Sequence, residues 1–196
     1  TEFENLHIAP AGIELSEFES KVAAEIGREN RLKKALAPAI PHYDFIIIDT
    51  PPSLGLLSVN ALNAATEVNI ALQAHPFAFD GLNLLLESIE LIKEELNPKL
   101  RISGIVVTMF DPRTKISHEI VQRVMAVKEL KPVVFKNVVH QNVKLTEASR
   151  MRKPVFYFAP ACSGSHDCLG LVEEICAQNT GKAVSKAPER RREARS

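Results

Sequence analysis

The stretch of this chain that says most about its expected fold is Tyr43-Asp44-Phe45-Ile46-Ile47-Ile48-Asp49-Thr50-Pro51-Pro52-Ser53. Its four consecutive apolar residues predict a strand that is buried on both faces, as in a parallel sheet. The prolines that follow can continue neither a helix nor a strand ladder. Asp49 is therefore expected at the carboxyl end of an interior strand, where open α/β sheets bind their ligands. A carboxylate followed by threonine there is typical of a Walker-B or switch loop that positions Mg²⁺ beside phosphates, and an aspartate that only caps the next helix is the simpler alternative.

A glycine-rich phosphate loop is the usual companion of such an aspartate, and the sequence does not contain one. Such a loop places backbone amides and a lysine at a helix N-terminus, where they cradle phosphates. The one Gly-Lys pair, Gly181-Lys182, precedes alanine instead of serine or threonine and lies in a polar stretch. The chain therefore carries half of a nucleotide site.

The composition limits the possible classes of protein. A chain of 196 residues with 45% hydrophobic residues predicts one domain with an ample core. Because 24 basic residues balance 24 acidic ones, any affinity for nucleic acid must come from a local patch. No apolar run approaches the length of a membrane span. The three cysteines lack C-x-x-C spacing, which predicts reduced thiols in a cytosolic protein and no metal site.

Strand and helix signals alternate along the chain, which predicts an α/β fold with a doubly wound, mostly parallel sheet covered by helices. Apolar runs predict strands at residues 5–10, 45–48, 68–73, 102–109, 133–139 and 155–158. Helical periodicity predicts helices at residues 14–36, 54–65, 82–96, 117–128, 145–151 and 167–177. Ser117 is the predicted N-cap of its helix, and Asn97-Pro98 ends the helix before it. From about residue 178 the chain turns polar and arginine-rich, which predicts a disordered tail.

Several longer motifs carry a resemblance to a known family. Residues 43–55 resemble the switch-II segment of the ParA/Soj family of chromosome- and plasmid-partitioning ATPases, and residues 5–11 resemble the strand before the family's long helix. Similar segments follow in the family's order at Ala78-Phe79-Asp80-Gly81-Leu82, at residues 104–114, at Asn142-Val143-Lys144-Leu145-Thr146-Glu147-Ala148 and at Lys153-Pro154. The resemblance implies a deviant P-loop fold, with the C-terminal two-thirds of the ATPase domain in residues 1–177 and a basic tail in residues 178–196.

The same resemblance implies that some parts of the family domain have no counterpart in this sequence. These are the first strand, the lysine-rich phosphate loop with its helix, and the second strand, whose aspartate orients the attacking water. Without them the sheet would keep an open slot with unpaired backbone groups. We therefore expect the chain to be a fragment of a longer protein, with no catalytic residue set intact.

Two groups of residues have nucleotide-binding roles by resemblance. Asp49 would hold Mg²⁺ through a water molecule, and the nucleotide-sensing switch would comprise Thr50, Pro51 and Pro52. The family's adenine pocket falls on Thr108, Met109, His140 and Asn142. This chain has His140-Gln141 where the family usually has Pro-Arg, so a loop histidine with satisfied hydrogen bonds is an equal alternative. ATP and Mg²⁺ are the expected cofactors of the full-length parent, and this chain alone need not bind either.

DNA binding in the family is independent of sequence and uses basic residues. The resemblance places candidates for these residues at Arg113, Lys144, Arg150, Arg152 and Lys153, with the arginine-rich tail as an auxiliary. Such contacts neutralise phosphates and weaken steeply with salt. Solvated surface charges are the alternative interpretation. Arg152 stands where the family typically has glycine, so the local loop geometry is expected to differ.

The function implied by the resemblance is that of a cytoplasmic, nucleoid-associated partitioning ATPase. Such a protein forms a nucleotide-dependent homodimer, coats non-specific DNA and is released by a ParB-like stimulator. A non-catalytic DNA-binding or interaction module remains an alternative, as does a MinD-like positioning ATPase. MinD-like proteins end in an amphipathic helix that binds membranes. Residues 183–190 contain a proline and almost no apolar stripe, so DNA is a better surface partner than a membrane.

Nucleotide binding should require the phosphate loop. We expect the 196-residue chain neither to bind a fluorescent ATP analogue with Mg²⁺ nor to hydrolyse ATP, because no lysine loop cradles the phosphates. A version extended by a family phosphate-loop segment should bind the analogue in the same titration. Tight binding by the short chain, or ATP turnover that Asp49→Ala abolishes, would contradict the half-site interpretation.

Overall fold

The computed structural model describes residue 1 and residues 3–179, apart from the side chain of Ser16. The predicted tail at residues 180–196 lies outside the described residues. The chain divides into two compact units. The first unit comprises residues 1–69 and 80–103, and the second comprises residues 70–79 and the chain from residue 104 onward.

Helices make up most of the regular structure that is described. The α-helices are α1 (Phe18–Lys21), α2 (Arg31–Leu36), α3 (Leu56–Ala64), α4 (Ala78–Glu95), α5 (Lys115–Ala126), α6 (Val143–Arg150), α7 (Val155–Phe158) and α8 (Ser163–Gln178). Short 3₁₀ turns lie at Ile13–Glu17, Arg28–Asn30, Ile40–His42 and Lys131–Val133. The strands β1 (Glu67–Gln73) and β2 (Arg101–Thr108) are hydrogen-bonded neighbours.

The two strands run parallel. At their starts, the N–H of Arg101 donates to the carbonyl of Thr66 at 3.3 Å, and at their ends the N–H of Ala74 donates to the carbonyl of Thr108 at 2.9 Å. Parallel neighbours need a crossover connection, and α4 supplies it. The resulting β-α-β unit confirms the α/β class and the strands and helix predicted at residues 68–109.

The buried interior strand of this structure is β2. Four consecutive residues of β2, from Gly104 to Val107, are buried. Its other edge is lined by residues 134–140, where the N–H of Phe135 donates to Ile105 and the N–H of Val139 donates to Val107, each at 2.9 Å. The predicted strand at 133–139 is nevertheless wrong as a regular strand, because only two isolated parallel bridges form. Between these bridges, the N–H groups of Lys136 and Asn137 donate to the Glu174 carboxylate and not to carbonyls of a neighbouring strand.

The predicted buried strand at residues 45–48 is wrong. The structure has an irregular segment there, in which Phe45 is 51% and Ile47 is 91% exposed. A strand needs a neighbour to pair its backbone groups. Among the described residues no strand lies beside this segment, so hydrophobicity alone does not make it regular. Asp49 is consequently exposed and does not end an interior strand.

The N-terminal predictions are correct only in part. Residues 5–10, predicted as a strand, form no regular element and are exposed. The single helix predicted at 14–36 is divided into α1, α2 and two 3₁₀ turns. Gly27 adopts a left-handed conformation, with φ at +75°, and interrupts the helical path between α1 and α2.

Buried asparagine side chains of α3 bind the 3₁₀ turn at Arg28–Asn30 and the start of α2. Oδ1 of Asn60 accepts from the N–H of Leu32 at 3.1 Å, and its Nδ2 donates to the carbonyl of Arg28 at 3.0 Å. Asn63 donates to the carbonyl of Glu29 at 2.9 Å. All three bonds satisfy backbone groups at or just before the start of α2, and the N–H of Leu32 is one of the groups that a helix leaves unpaired at its N-terminus. The predicted helix at 54–65 is confirmed, and it buries these two asparagines together with Ser58, Ala61 and Leu62.

Helix α4 follows its predicted pattern. Leu82, Ile89 and Ile92 are buried along one face. Asn97, beyond its end, is also buried, and its Nδ2 donates to the carbonyls of Leu62 at 2.9 Å and Ala65 at 2.7 Å. Asn97 therefore ends α4 as predicted and also satisfies the carbonyls at the end of α3.

The remaining predictions have mixed outcomes. Helices α5, α6 and α8 are confirmed, but Thr114 and not Ser117 is the N-cap of α5, since Oγ1 of Thr114 accepts from the N–H of Ser117. Residues 155–158, predicted as a strand, form the single turn α7. The N–H groups of Tyr157 and Phe158 both donate to the carbonyl of Pro154 at 3.0 Å. These bonds close a helical turn, so the two N–H groups do not pair with a neighbouring strand.

Two classes of feature are not found in residues 1 and 3–179. No helix there combines the length and the apolar character needed to cross a membrane. No group of three or more His, Cys, Asp or Glu side chains is arranged to hold a metal ion. The three cysteines, at positions 162, 168 and 176, form no disulfide in this structure.

Replacing Asn97 by alanine should destabilise the protein. The substitution leaves two buried carbonyls without their donor, which costs about 1–3 kcal/mol. Urea unfolding followed by circular dichroism measures the free energy of unfolding. Asn83→Ala is the matched control, because Asn83 is exposed on α4, and it should change the free energy by less than about 0.5 kcal/mol. Equal effects of the two substitutions would show that the Asn97 bonds contribute nothing.

Candidate functional site

The turn after β2 has an unusual backbone conformation. Met109 has φ at +52°, in the left-handed region, and its side chain is 57% exposed. The chain is fixed on both sides of it. Thr108 accepts from the N–H of Ala74, and the N–H of Phe110 donates to the carbonyl of Val139 at 3.1 Å. A left-handed residue other than glycine costs about 1–2 kcal/mol, and such strain persists where the surrounding structure imposes it, often at functional positions.

His140 lies next to this turn. A parallel bridge joins it to Phe110, and the two rings meet edge to face with centroids 5.5 Å apart. Oδ2 of Asp167 lies 3.0 Å from both the backbone nitrogen and Nδ1 of His140. Because a carboxylate only accepts, Nδ1 carries the hydrogen, and in the neutral ring Nε2 is left as an acceptor. Thr108, Met109 and His140 thus lie near one another at the carboxyl end of β2, and their role in base binding stays a prediction.

Asn142 has a local structural role. It is the N-cap of α6, where its Oδ1 accepts from the N–H of Lys144 at 2.8 Å. Its Nδ2 donates to Oγ of Ser163 at 2.8 Å, which joins the starts of α6 and α8. Both ends of the amide are therefore engaged in holding the loop that follows His140.

Asp49, Thr50, Pro51 and Pro52 belong to the first unit, whereas the residues around Met109 belong to the second. All four are exposed in the irregular segment that precedes α3. The end of this segment is anchored, because Oγ of Ser58 donates to the carbonyl of Ser53. The carboxylate of Asp49 forms no ion pair within the described part of the chain.

Two of the predicted DNA-binding cations are paired with acids. Arg113 makes a two-pronged contact with Asp111, with Nε 2.9 Å from Oδ1 and an Nη 2.8 Å from Oδ2. Side-chain and backbone hydrogen bonds from Arg113 lower the pKa of Asp111 to about 2. Nζ of Lys144 lies 2.7 Å from the Glu147 carboxylate, and that hydrogen bond raises the pKa of Lys144. At neutral pH both positive charges are locally compensated.

The other three cations lie in the turn that ends α6. Arg150, Arg152 and Lys153 are exposed, and none forms an ion pair within the described residues. The N–H of Arg152 donates to Ser149 and the N–H of Lys153 to Ala148, both at 3.0 Å. This pair of bonds is a Schellman motif, whose left-handed position usually holds glycine. Arg152 occupies that position with φ at +53°. An arginine therefore stands here in a backbone conformation that suits glycine, and the expected difference in loop geometry stays a prediction.

Three acidic residues near these sites were not predicted from the sequence. Asp111 lies two positions before Arg113, so local spacing contained a usable signal. Asp167 and Glu174 lie on α8, 27 and 37 or more residues from the backbone groups that they bind. Burial opposes the ionisation of Glu174, but backbone hydrogen bonds from Lys136 and Asn137 keep its pKa below its ordinary value. No local pattern indicates such distant pairs.

The fold is that of the ParA/MinD class of P-loop ATPases. Cobyrinic acid a,c-diamide synthase from Mycobacterium smegmatis superposes with a TM-score of 0.73 at 28% identity, over 89% of this chain and 63% of that chain. A second structure of that enzyme, with bound ATP analogue and magnesium, matches at 35% identity and a TM-score of 0.62, over 68% of this chain and 53% of that one.

Similarity in sequence identifies the family more specifically than similarity in fold does. A family model described as an AAA domain matches residues 1–102. The sporulation initiation inhibitor protein Soj of Bacillus subtilis is 40% identical over 177 residues, which are 90% of this chain and 69% of Soj. The chromosome partitioning protein ParA of Myxococcus xanthus is 40% identical over 183 residues, which are 93% of this chain and 64% of that protein. The chain belongs to the ParA/Soj family of partitioning ATPases.

Replacing Arg152 by glycine should stabilise the protein. Glycine adopts the left-handed conformation freely, so the change should raise the free energy of unfolding by about 1 kcal/mol. Arg150→Gly removes the same side chain two positions earlier, inside α6, and should lower the free energy by roughly 0.5 kcal/mol or more. Urea unfolding of both variants measures the two changes in the free energy of unfolding, which should have opposite signs. Destabilisation by both would show that Arg152 is not strained.

Proposed function

We propose that this chain serves in a ParA-type partitioning ATPase and binds DNA, independently of sequence, through the turn at Arg150, Arg152 and Lys153. The observation that carries the proposal is the contrast among the five candidate cations. These three are exposed and form no ion pair within the described residues, whereas Arg113 and Lys144 are engaged by Asp111 and Glu147. The unpaired cations are the ones that can neutralise phosphates without first giving up a partner.

The conformation of Arg152 supports this assignment. An arginine in the left-handed position costs stability that glycine would restore. Residues that keep such strain are concentrated at functional positions. An exposed guanidinium is well suited to phosphate oxygens, which it contacts through several N–H groups at once. Arg113 and Lys144 are proposed as weaker contributors, because DNA would have to compete with their acidic neighbours.

Asp49 is proposed as the residue that holds Mg²⁺ through a water molecule. Magnesium in nucleotide sites binds one or two carboxylates and takes its other ligands from phosphates and water. A single exposed carboxylate, in a region without a cluster of metal ligands among the described residues, fits that requirement. Thr50, Pro51 and Pro52 would form the switch. The ATP analogue and magnesium bound by the Mycobacterium smegmatis enzyme support Mg-ATP as the cofactor of the parent protein.

The turn after β2 is proposed to contact the nucleotide base. His140 offers Nε2 as an acceptor while Asp167 holds its other nitrogen, and Met109 exposes an apolar side chain beside it. Thr108 lies at the end of the strand, and Asn142 fixes the following loop. An acceptor beside an apolar surface suits a purine, which has both donor groups and a flat face.

The proposed partners are those of the family: a second copy of the ATPase in the nucleotide-bound state, non-specific DNA and a ParB-like stimulator. A cytoplasmic, nucleoid-associated location follows from the proposed DNA binding. A non-catalytic DNA-binding module is the second candidate, favoured by the exposed, irregular segment around Asp49. DNA binding is common to both candidates, whereas ATP turnover by the extended protein separates them.

Removing the three unpaired charges should weaken DNA binding. For the variant Arg150→Ala, Arg152→Ala, Lys153→Ala we expect about tenfold or greater loss of affinity for a 30-base-pair duplex at 0.1 M salt, and a salt slope that is shallower by roughly 2–3. Fluorescence anisotropy with two unrelated duplexes measures both quantities, and the two duplexes should behave alike.

A matched variant controls for net charge. Lys99→Ala, Lys115→Ala, Lys128→Ala removes three exposed lysines that form no ion pair among the described residues. This variant should keep most of the affinity. Equal losses in the two variants would mean that only the total charge matters. A wild-type chain that does not bind either duplex would contradict the proposal outright.

A further inference from the structure

Helix α7, the single turn that follows the basic turn at residues 150–153, exposes two aromatic side chains. Phe156 is 42% and Tyr157 is 69% exposed, and Met151 in the basic turn is 56% exposed. We call Phe156 and Tyr157 the aromatic pair. Large apolar side chains that are exposed close together on one surface mark binding sites more often than scattered ones do. The aromatic pair is therefore a candidate contact for a ligand.

The backbone beneath the aromatic pair is fixed from outside α7. Oγ of Ser165, a buried residue of α8, lies 2.8 Å from the carbonyl oxygen of Ala159 and 3.4 Å from that of Val155. The N–H of Ala159 also donates to the carbonyl of Val155 at 2.8 Å. These bonds hold α7 against the start of α8. Rings on a fixed backbone lose little conformational freedom when they bind a ligand.

The surroundings of the aromatic pair are cationic. The sequence contains no aspartate or glutamate between Glu147 and Asp167, and the three cations of the basic turn lie within this interval. A fourth cation reaches α7 from α6, since Nζ of Lys144 lies 6.0 Å from the ring centroid of Phe158. A ligand that contacts the aromatic pair therefore meets an excess of positive charge, which favours an anion.

The combination of rings and cations selects among anionic ligands. Duplex DNA presents phosphates but keeps the faces of its bases stacked inside, whereas a single strand presents both to a protein. Anionic membranes also suit the charge, but binding at a membrane surface needs a longer helix with an apolar face. Helix α7 has only four residues. A single-stranded nucleic acid thus matches more of this surface than a duplex or a membrane does.

We propose that the aromatic pair stacks on unpaired bases of a single-stranded nucleic acid whose phosphates are held by the basic turn. The inference rests on the proposed DNA binding of that turn and goes beyond it, because contacts with a duplex need only the cations. The chain from Lys153 to Tyr157 spans at most about 14 Å. Phosphates and bases of one short strand therefore reach both groups.

The test uses the full 196-residue chain and fluorescein-labelled strands of about 15 nucleotides. The probes are a DNA strand of mixed sequence, its duplex, and an abasic strand with the same number of phosphates. By fluorescence anisotropy at 0.1 M salt, we expect the DNA strand to bind at least about fivefold more tightly than the abasic strand, because only the first can stack. An RNA strand of the same sequence identifies which single-stranded polymer binds more tightly, and either order agrees with stacking.

Variants locate the stacking surface. Phe156→Leu with Tyr157→Leu keeps two apolar side chains but removes both rings. It should weaken binding of the DNA strand at least about fivefold and change binding of the duplex and the abasic strand less than about twofold. The matched control is Phe45→Leu with Phe77→Leu, which changes two other exposed aromatic side chains and should leave binding of the strand unchanged. Circular dichroism checks that each variant keeps its helix content.

Three results would overturn the inference. The DNA strand binds no better than the abasic strand, the two leucine variants weaken it equally, or the aromatic pair is needed only for binding to vesicles of phosphatidylcholine and phosphatidylserine. The last result would identify a membrane contact. Duplex binding that persists in any of these cases leaves the proposed function standing. Strand binding that needs the aromatic pair but not Arg150, Arg152 and Lys153 would instead contradict the proposed role of the basic turn.

Discussion

The parallel pairing of β2 is the constraint on which the proposed base-binding region depends. Gly104 to Val107 are buried. At the carboxyl end of β2, the carbonyl of Thr108 accepts from the N–H of Ala74 on one side, and the N–H of Phe110 donates to the carbonyl of Val139 on the other. The bonds that Phe110 exchanges with residues 139 and 141 leave Met109 between two fixed points, in a left-handed conformation. His140 reaches the same place because its segment runs parallel to β2. An exposed apolar side chain and an oriented imidazole are therefore consequences of one strand's hydrogen bonds.

Polar side chains, and not only apolar ones, hold the first unit together. Asn60, Asn63 and Asn97 are buried, and each donates to main-chain carbonyls at the start or end of a neighbouring element. Helix ends leave such groups without intrahelical partners, and leaving them buried and unpaired is costly. Buried amides explain how short elements around α2 stay attached to α3 with few large apolar residues between them.

Charge in this neutral chain is separated into surfaces with different prospects for binding. Arg113 and Lys144 are satisfied by acids of their own neighbourhood. Arg150, Arg152 and Lys153 at the end of α6, and Asp80, Glu87 and Glu94 on α4, form no ion pair within the described residues. The net charge of zero does not reveal these two local excesses of charge, because they have opposite sign and cancel in the sum.

The sequence by itself determined the family, the α/β class, β1, α4, β2 and most later helices, because these elements have strong local periodicity and the motifs are long. The family resemblance also suggested Thr108, Met109 and His140 as base-binding candidates, and that role stays a prediction. Only the tertiary structure decided that residues 45–48 stay irregular and that residues 155–158 form a helical turn. It also decided which cations find acidic partners. A strand exists only with a neighbour to pair it, and a hydrogen bond such as that of His140 with Asp167 joins residues 27 positions apart. Local sequence contains neither kind of information.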